Sequence, residues 1–313
     1  MHPDKPSIHE RAVGRWAGIL ASLGVEQQLL NVRKHHPCPW CGGKDRFRFT
    51  DKSGGGSFYC GQCGPKSAVD FIMHRRGWDF ATAAREIEAI VGDIKVQPVN
   101  RQTSGGTAAM KRFWQNSEEI VKGDFVDRYL QGRGIALEAY PPVLRRHPVA
   151  EHIDEDGKRT VHPAMLAKLA KPDGSGTNVH RTYLTRDGGK AAVEPQRKMM
   201  AGGVSEGSAV RLFESFTDEL GIAEGIETAL SAAALFSLPV WSGLNTSLMK
   251  GWMPPESVKR VVVFADHDDN FAGQAAAYAL ASRLKGKGLS VTVEVPDTTG
   301  DWNDILMKKK GYS

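Results

Sequence analysis

Three carboxylates close an apolar run in residues 260–273, RVVVFADHDDNFAG: Asp266, Asp268 and Asp269 follow a β-branched stretch and precede Gly273. Glu224 ends the apolar part of LGIAEGIETAL, and Asp301 and Asp304 lie in PDTTGDWNDIL. Were these segments to meet at one sheet edge, like charges about 4 Å apart would repel by about 4 kcal/mol at an effective dielectric near 20. Such a cluster needs cations, and all-oxygen ligands favour Mg2+ or Mn2+. The chemistry that follows is metal-dependent phosphoryl transfer. A lone Asp-x-Asp says little, since acidic loops after strands are common. Glu-Gly, then Asp-x-Asp-x4-Gly, then Asp-x-Asn-Asp, in that order, is a far stronger pattern.

A second constellation lies near the other end of the chain. HPCPWCGGKDRFRFTDKSGGGSFYCGQCG holds Cys38-x2-Cys41 and Cys60-x2-Cys63, with eighteen residues between the pairs. Two such knuckles at this separation are the pattern of a structural zinc site, one ion per chain, its four thiolates leaving no open position for catalysis. Between them KDRFRF, read as a strand, sets Arg46 and Arg48 on one face and Phe47 and Phe49 on the other. The arginines are candidates for phosphate or base contacts, and Trp40 and Tyr59 offer rings of the kind on which single-stranded nucleic acid stacks. Phe47 and Phe49 serve either that surface or the core of a module with little else to bury.

The elements that must position these groups follow from periodicity and punctuation. After residue 214 the rhythm is strand, helix, strand, helix: ELGIAEG, LPVWSG, KRVVVFAD and LSVTVEVP as strands, 226–236 and 271–285 as helices. That alternation implies a parallel sheet whose ligand-binding edge is the C-terminal end of its strands. Residues 7–30 carry Ile8, Val13, Trp16, Ile19, Leu20 and Leu23 at helical spacing, short helices are expected near 67–76 and 79–91 with Asp79 as a cap, and 109–131 reads as helical. Between about 140 and 213 the pattern is mixed and turn-rich, with strands at TNVHRTYLT and AVRLFE. QPVNRQTSGGTAA reads as a linker. The expected fold class is therefore α/β and multi-domain: a zinc ribbon with flanking helices over 1–95, a linker at 96–108, a mixed α+β basic subdomain over 109–213, and a parallel α/β sheet over 214–313.

Charge supports a division of labour. Net charge is +5 over 31–80 and +4 over 111–213, but −4 over 214–313, which suggests a nucleic-acid-binding front and a metal-binding rear. No apolar run reaches the roughly 20 residues a membrane span needs, and the N-terminus lacks the pattern of a signal peptide, so a cytoplasmic protein is expected.

EGIETALSA, ADHDDNFAGQAAA and DWNDIL resemble the blocks of the Toprim fold shared by bacterial primases, topoisomerases and some nucleases. The cysteine segment resembles the zinc ribbon of phage and plasmid primase-helicases, and YLQGRGI and HRTYLTRDGGKAAVEPQRKMMAG resemble the region that precedes Toprim in those primases. The resemblance implies a primase that makes short RNA primers on single-stranded DNA from ribonucleoside triphosphates, with a replicative helicase acting in trans, since no GxxxxGK[ST] is present. It implies Glu224 as acid/base or metal ligand, Asp266 and Asp268 as the main Mg2+ or Mn2+ ligands, and Asp301 (or Asp304) as the group completing the site. Arg181, Arg197 and Lys198 would lie on a basic ridge facing template or nucleotide. The other readings to be tested are a Toprim nuclease and a non-catalytic single-stranded-DNA-binding replication factor.

Overall fold

A computed structural model of the chain describes residues 7–51, 54–92, 105–154 and 156–312. The chain divides into two compact units, Met1–Thr103 and Ser104–Ser313. Residues 96–104 of the expected linker lie outside the described residues. Its last positions do not extend it, because they open a helix.

In the first unit, α1 (Ile8–Ala12), α2 (Trp16–Ser22) and a short 3-10 helix (Gln27–Leu30) replace the single helix expected over 7–30. Gly14, at φ 73°, breaks it and turns Val13 to solvent. An antiparallel sheet follows, in the order β1 (His36–Cys38), β2 (Gly42–Thr50), β3 (Ser57–Cys60), β4 (Gly64–Ser67). α3 (Ala68–Arg76) starts in a capping box between Ser67 and Asp70, and Asp79 caps α4 (Phe80–Val91) by accepting from the Thr82 N–H. Phe47 and Phe49 are only 1% exposed, and Phe47, Phe58 and Phe71 stack with centroids 3.9–5.7 Å apart. The phenylalanines of KDRFRF are core, and β2 sets Arg46 and Arg48 on its outer face, together with Lys44 and Thr50.

The second unit holds α5 (Gly105–Gln115), α6 (Phe125–Gln131), β5 (Leu144–Ile153), β6 (Arg159–Ala170), β7 (Gly176–Tyr183), β8 (Arg197–Met199), β9 (Ala209–Val210), β10 (Glu219–Ala223), α7 (Ile226–Phe236), β11 (Val240–Ser242), α8 (Thr246–Gly251), β12 (Arg260–Phe264), α9 (Ala272–Lys285), β13 (Ser290–Glu294) and α10 (Trp302–Lys309). Among the described residues its strands form one sheet, ordered β13-β12-β10-β11-β9-β6-β7-β8, with β5 also on β6. β10 to β13 are parallel, and β5 to β9 pair antiparallel. Val210 of β9 pairs with both Ser242 of β11 and Leu169 of β6, so the sheet runs through the boundary expected at 213/214.

Alternation along β12 divides the core: Val261, Val263 and Ala265 pack in one cluster with Leu220, Ile222, Ala276 and Leu280, while Phe264 packs in the other with Ala223, Leu230 and Trp302. α9 thus covers one face and α7 and α10 the opposite one. β11 and β12 flank β10 on its two sides, so the chain reverses its winding between β10 and β12. That is where an open α/β sheet binds ligands.

Candidate active site and metal centre

The parallel register brings the acidic groups to this switch point. Ala223 pairs with Phe264 and Phe264 with Glu294, so Glu224 and Asp266 emerge one and two residues later at adjacent strand ends. The Ser242 hydroxyl fixes the turn after β10 by donating to the Glu224 carbonyl at 2.7 Å. The turn after β12 is held more elaborately. Asp268 Oδ2 accepts from the Gly273 N–H at 3.0 Å, and the Gln274 amide spans the Asp268 backbone, its Oε1 3.4 Å from the N–H and its Nε2 3.3 Å from the carbonyl. A Cβ on Gly273 would lie 2.9 Å from the Asp266 carbonyl and 3.1 Å from Asp268 Oδ2. The glycine of the motif is required because helix and acidic turn touch there.

α10 delivers the third segment. Trp302 packs edge-on to Phe264 and Phe236, at 5.8 and 5.0 Å, which seats the helix start at the strand ends. His267 and Gly300 exchange two backbone hydrogen bonds of 2.9 and 3.1 Å, and His267 Nδ1 lies 2.7 Å from the Pro296 carbonyl. Asp301 and Asp304 form a capping box: Asp301 Oδ1 accepts from the Asn303 and Asp304 N–H groups, and Asp304 Oδ2 accepts from the Asp301 N–H. One oxygen of Asp301 is therefore committed to the cap, while Oδ2 lies 3.5 Å from Thr228 Oγ1.

These charges converge on Asp266. Burial, and then the charges of Glu224, Asp301, Asp268 and Asp304 in decreasing order, push its carboxyl up to about 8. Asp301 thus acts on Asp266 more strongly than Asp304, which is exposed. Among the described residues Asp266 Oδ1 is buried and receives no hydrogen bond. A desolvated oxygen left unsatisfied among like charges is the donor set that a hard divalent cation fits.

In the other unit the four cysteine Sγ atoms lie within 4.8 Å of one another. A tetrahedral ion with Zn–S bonds near 2.3 Å sets sulfurs about 3.8 Å apart; Cys38–Cys63 and Cys41–Cys60 are 3.9 and 3.6 Å apart. The Gln62 and Cys63 N–H groups both approach Cys60 Sγ at 3.4 Å, which fixes the second knuckle. Burial, with the neighbouring sulfurs Cys60 and Cys38, pushes the Cys63 thiol up to about 11. The tetrad fits zinc. Cys60→Ser is expected to cost the protein its zinc, about one ion per chain in the wild type, and to unfold the β1–β4 sheet, because metal binding and folding are coupled in such modules. Metal analysis and near-ultraviolet circular dichroism check this. A variant that stays folded without metal would contradict it.

Known domains match both ends. Residues 33–70 match the zinc-binding domain of primase-helicase, and residues 219–311 match the Toprim domain. The chain pairs a primase-type zinc ribbon with a Toprim domain. Residues 104–212 match a domain of unknown function, DUF7146. Among solved structures the chain is similar to the zinc-binding and RNA polymerase domains of the Aquifex aeolicus primase, at 15% identity over 97% of this chain and 82% of that one, with a TM-score of 0.45. It is also similar to the primase fragment of the bacteriophage T7 primase-helicase (15% identity, 89% and 95% covered, TM-score 0.39) and to a DNA primase domain from Pseudomonas aeruginosa (15%, 65% and 73%, 0.44).

The basic groups expected to serve the Toprim domain divide. Arg181 donates to the Glu151 and Met199 carbonyls, both at 3.2 Å, and lies over the Phe113 and Tyr183 rings. Lys198 donates to the Ile153 carbonyl. Both tie strands of the antiparallel half together, and both are half-buried. Arg197 is different: its side chain is 43% exposed and its guanidinium pairs at 3.2 Å with Glu227, whose side chain is only 6% exposed. Tyr129 also donates to Glu227, at 2.6 Å. Burial acts to raise the Glu227 carboxyl, but Arg197 and the Tyr129 hydroxyl hold it below its ordinary value, with Arg133 contributing. Lys190 belongs to the same group, since burial, Arg133 and Arg197 lower its pKa while Glu227 and Asp301 oppose them.

Arg197 is thus paired with a buried carboxylate whose charge is also felt by Arg133 and Lys190, and Arg133, Lys190 and Glu227 were not expected. Glu227 had a signal: it is the sole charged residue in the apolar helix IETALSAAALF. Glu227→Gln removes the countercharge that holds Arg197. It is expected to destabilise the fold by about 2 kcal/mol, less than a fully buried pair would cost. Thermal unfolding checks this.

On the ribbon, Arg46 donates to Gln62, and Arg48 lies 5.9 Å from the Tyr59 ring centroid. Trp40 is half-buried against Phe47, Phe71 and His74, with the Lys66 ammonium 5.8 Å from its ring. It borders an open groove of about 420 Å³ that Lys66, Met73, His74 and Trp78 also line. No described helix is long and apolar enough to cross a membrane.

Proposed function

We propose that the protein is a DNA primase that joins ribonucleotides into short primers on single-stranded DNA by metal-dependent nucleotidyl transfer, in the replication of a phage, plasmid or other mobile element. The observation that carries this reading is the half-buried Asp266 at the switch point, with its buried Oδ1 left without a hydrogen bond among the charges of Glu224, Asp268 and Asp301, in a chain that also has a primase-type ribbon. Magnesium or manganese held by Asp266, Asp268, Glu224 and Asp301 Oδ2 would supply charge stabilisation for the attacking and leaving oxygens.

The chain's own groups do the rest. Gly273, Gln274 and the His267–Gly300 pairing fix the carboxylates before substrate arrives, so no reorganisation is needed at the moment of reaction. Glu224 takes the proton of the primer 3′-hydroxyl. Arg197, Arg133 and Lys190 bind the triphosphate and hold its α-phosphorus in line with that hydroxyl, so that the new oxygen–phosphorus bond forms as the bond to the departing pyrophosphate breaks. Arg46, Arg48 and Trp40 engage the template, and a replicative helicase supplies the single strand in trans.

The test is incubation with single-stranded DNA, labelled ribonucleotides and Mg2+. Oligoribonucleotides of defined start site support the proposal. Cut DNA without synthesis would make the protein a Toprim nuclease, and binding alone would make it a replication factor.

A further inference from the structure

Phe271 stands three residues after Asp268, its N–H bonded to the Asp268 carbonyl at 3.0 Å, and its ring is 66% exposed. Its φ of 56° is in the left-handed region that aromatic residues rarely occupy. The chain thus holds a large apolar ring in solvent, in an unfavourable backbone conformation, on the acidic turn itself. From there one line of exposed positions of α9 runs through Ala275, Tyr278 (58% exposed), Ser282 and Lys285, with exposed Ala279 beside it. Spacings of four, three, four and three place them on one side of the helix, with Phe271 and Tyr278 about 10 Å apart along its axis. Residues 271–293 contain no Asp or Glu, although the surrounding 214–313 is acidic, and Lys285 and Lys287 close the stripe. The third cation of the segment, Arg283, is turned inward onto the Lys250 and Trp252 carbonyls.

We propose that this face of α9 is a stacking platform for single-stranded nucleic acid, with Phe271 receiving the base nearest the reacting end, Tyr278 a base further along, and Lys285 and Lys287 the phosphates beyond. Two separated rings followed by cations, with carboxylates excluded, match a strand of π-faces on a polyanion. Stacking rings beside cations suit a polyanion of bases, whereas a protein partner of mixed charge has no need for acidic groups to be excluded. The inference rests on reading the acidic edge as a nucleotidyl-transfer centre, because that places a nucleic-acid end beside Asp268.

The experiment uses the full chain and its Phe271→Gly, Tyr278→Ala double variant. Glycine occupies a positive φ without strain, so the variant is expected to melt no lower than the wild type. Binding of an oligodeoxythymidylate about twelve nucleotides long is expected to weaken about tenfold, and Phe271→Trp to retain it. Photocrosslinking with a bromodeoxyuridine-substituted oligonucleotide is expected to map to 271–282 in the wild type and to vanish from that segment in the double variant. Unchanged affinity with crosslinks elsewhere overturns the platform. So does a double variant that binds DNA normally but loses self-association in sedimentation, since the stripe would then be a protein contact. Crosslinking at 271–282 in a wild type that makes no primers would leave the platform standing and overturn the primase reading instead.

Discussion

Asp266→Asn is expected to abolish nucleotide joining and, in protein dialysed free of magnesium, to make the fold more stable at pH 8. The two effects share one cause. Burial and four neighbouring carboxylates hold the Asp266 pKa at about 8, against an ordinary 3.8. Below pH 4 the folded and unfolded states both carry the proton, and the site costs nothing. As pH rises from about 4 towards 8 the unfolded chain ionises freely while the folded one resists, so stability is lost progressively. Above pH 8 the full cost is present, on the order of 5 kcal/mol. Asparagine keeps the shape and discards the charge. Wild type and variant should therefore melt together near pH 4 and diverge by pH 8, with the variant higher. Adding magnesium should recover the wild type and leave the variant unmoved. Should the two respond alike to magnesium, Asp266 would not be a ligand, whatever the variant's activity.

The parallel half of the sheet was legible because its strands are short β-branched runs bounded by Gly, Pro and Asp. α7 begins where Glu224-Gly225 ends a strand, and the expected helix at 226–236 is the one found. The long hairpin β5–β6 was not legible. LRRHPVAEHI and RTVHPAMLAKLA each carry a proline and several charged or histidine residues, and they are strands because tertiary pairing outweighs local preference. DWNDIL was read as a ligand loop, whereas the same two aspartates also cap a helix; a short acidic motif cannot reveal which oxygen a backbone N–H will claim. The carbonyl contacts of Arg181 and Lys198 were not legible for a related reason. A cation on a strand looks like a binding group until the sheet shows which carbonyls end up opposite it.

Residues 105–313 on their own are expected to fold, to bind Mg2+ and nucleotides, and to extend a pre-annealed primer, yet to start primers on the order of 100-fold more slowly than the full chain and without template preference. The hydrophobic clusters of this segment are built from its own residues, and the ribbon's cluster is built entirely from residues before 92. The cut belongs at 104/105, because α5 begins at Gly105 and contributes Met110, Phe113 and Trp114 to the packing around Tyr183. Extension needs only a positioned 3′-hydroxyl, which the annealed primer supplies. Initiation needs the template held in register, and a 100-fold loss corresponds to about 3 kcal/mol of template contacts. The Arg46→Ala, Arg48→Ala double variant should imitate the truncation more mildly, and its defect relative to wild type should be largest at low salt and shrink as salt rises, because the variant makes fewer salt-sensitive phosphate contacts. Initiation rates and start sites on several short templates decide the matter. Identical start sites for fragment and full chain would make the ribbon purely structural and would move template choice to the exposed arginine at 197 and the cations gathered around Glu227.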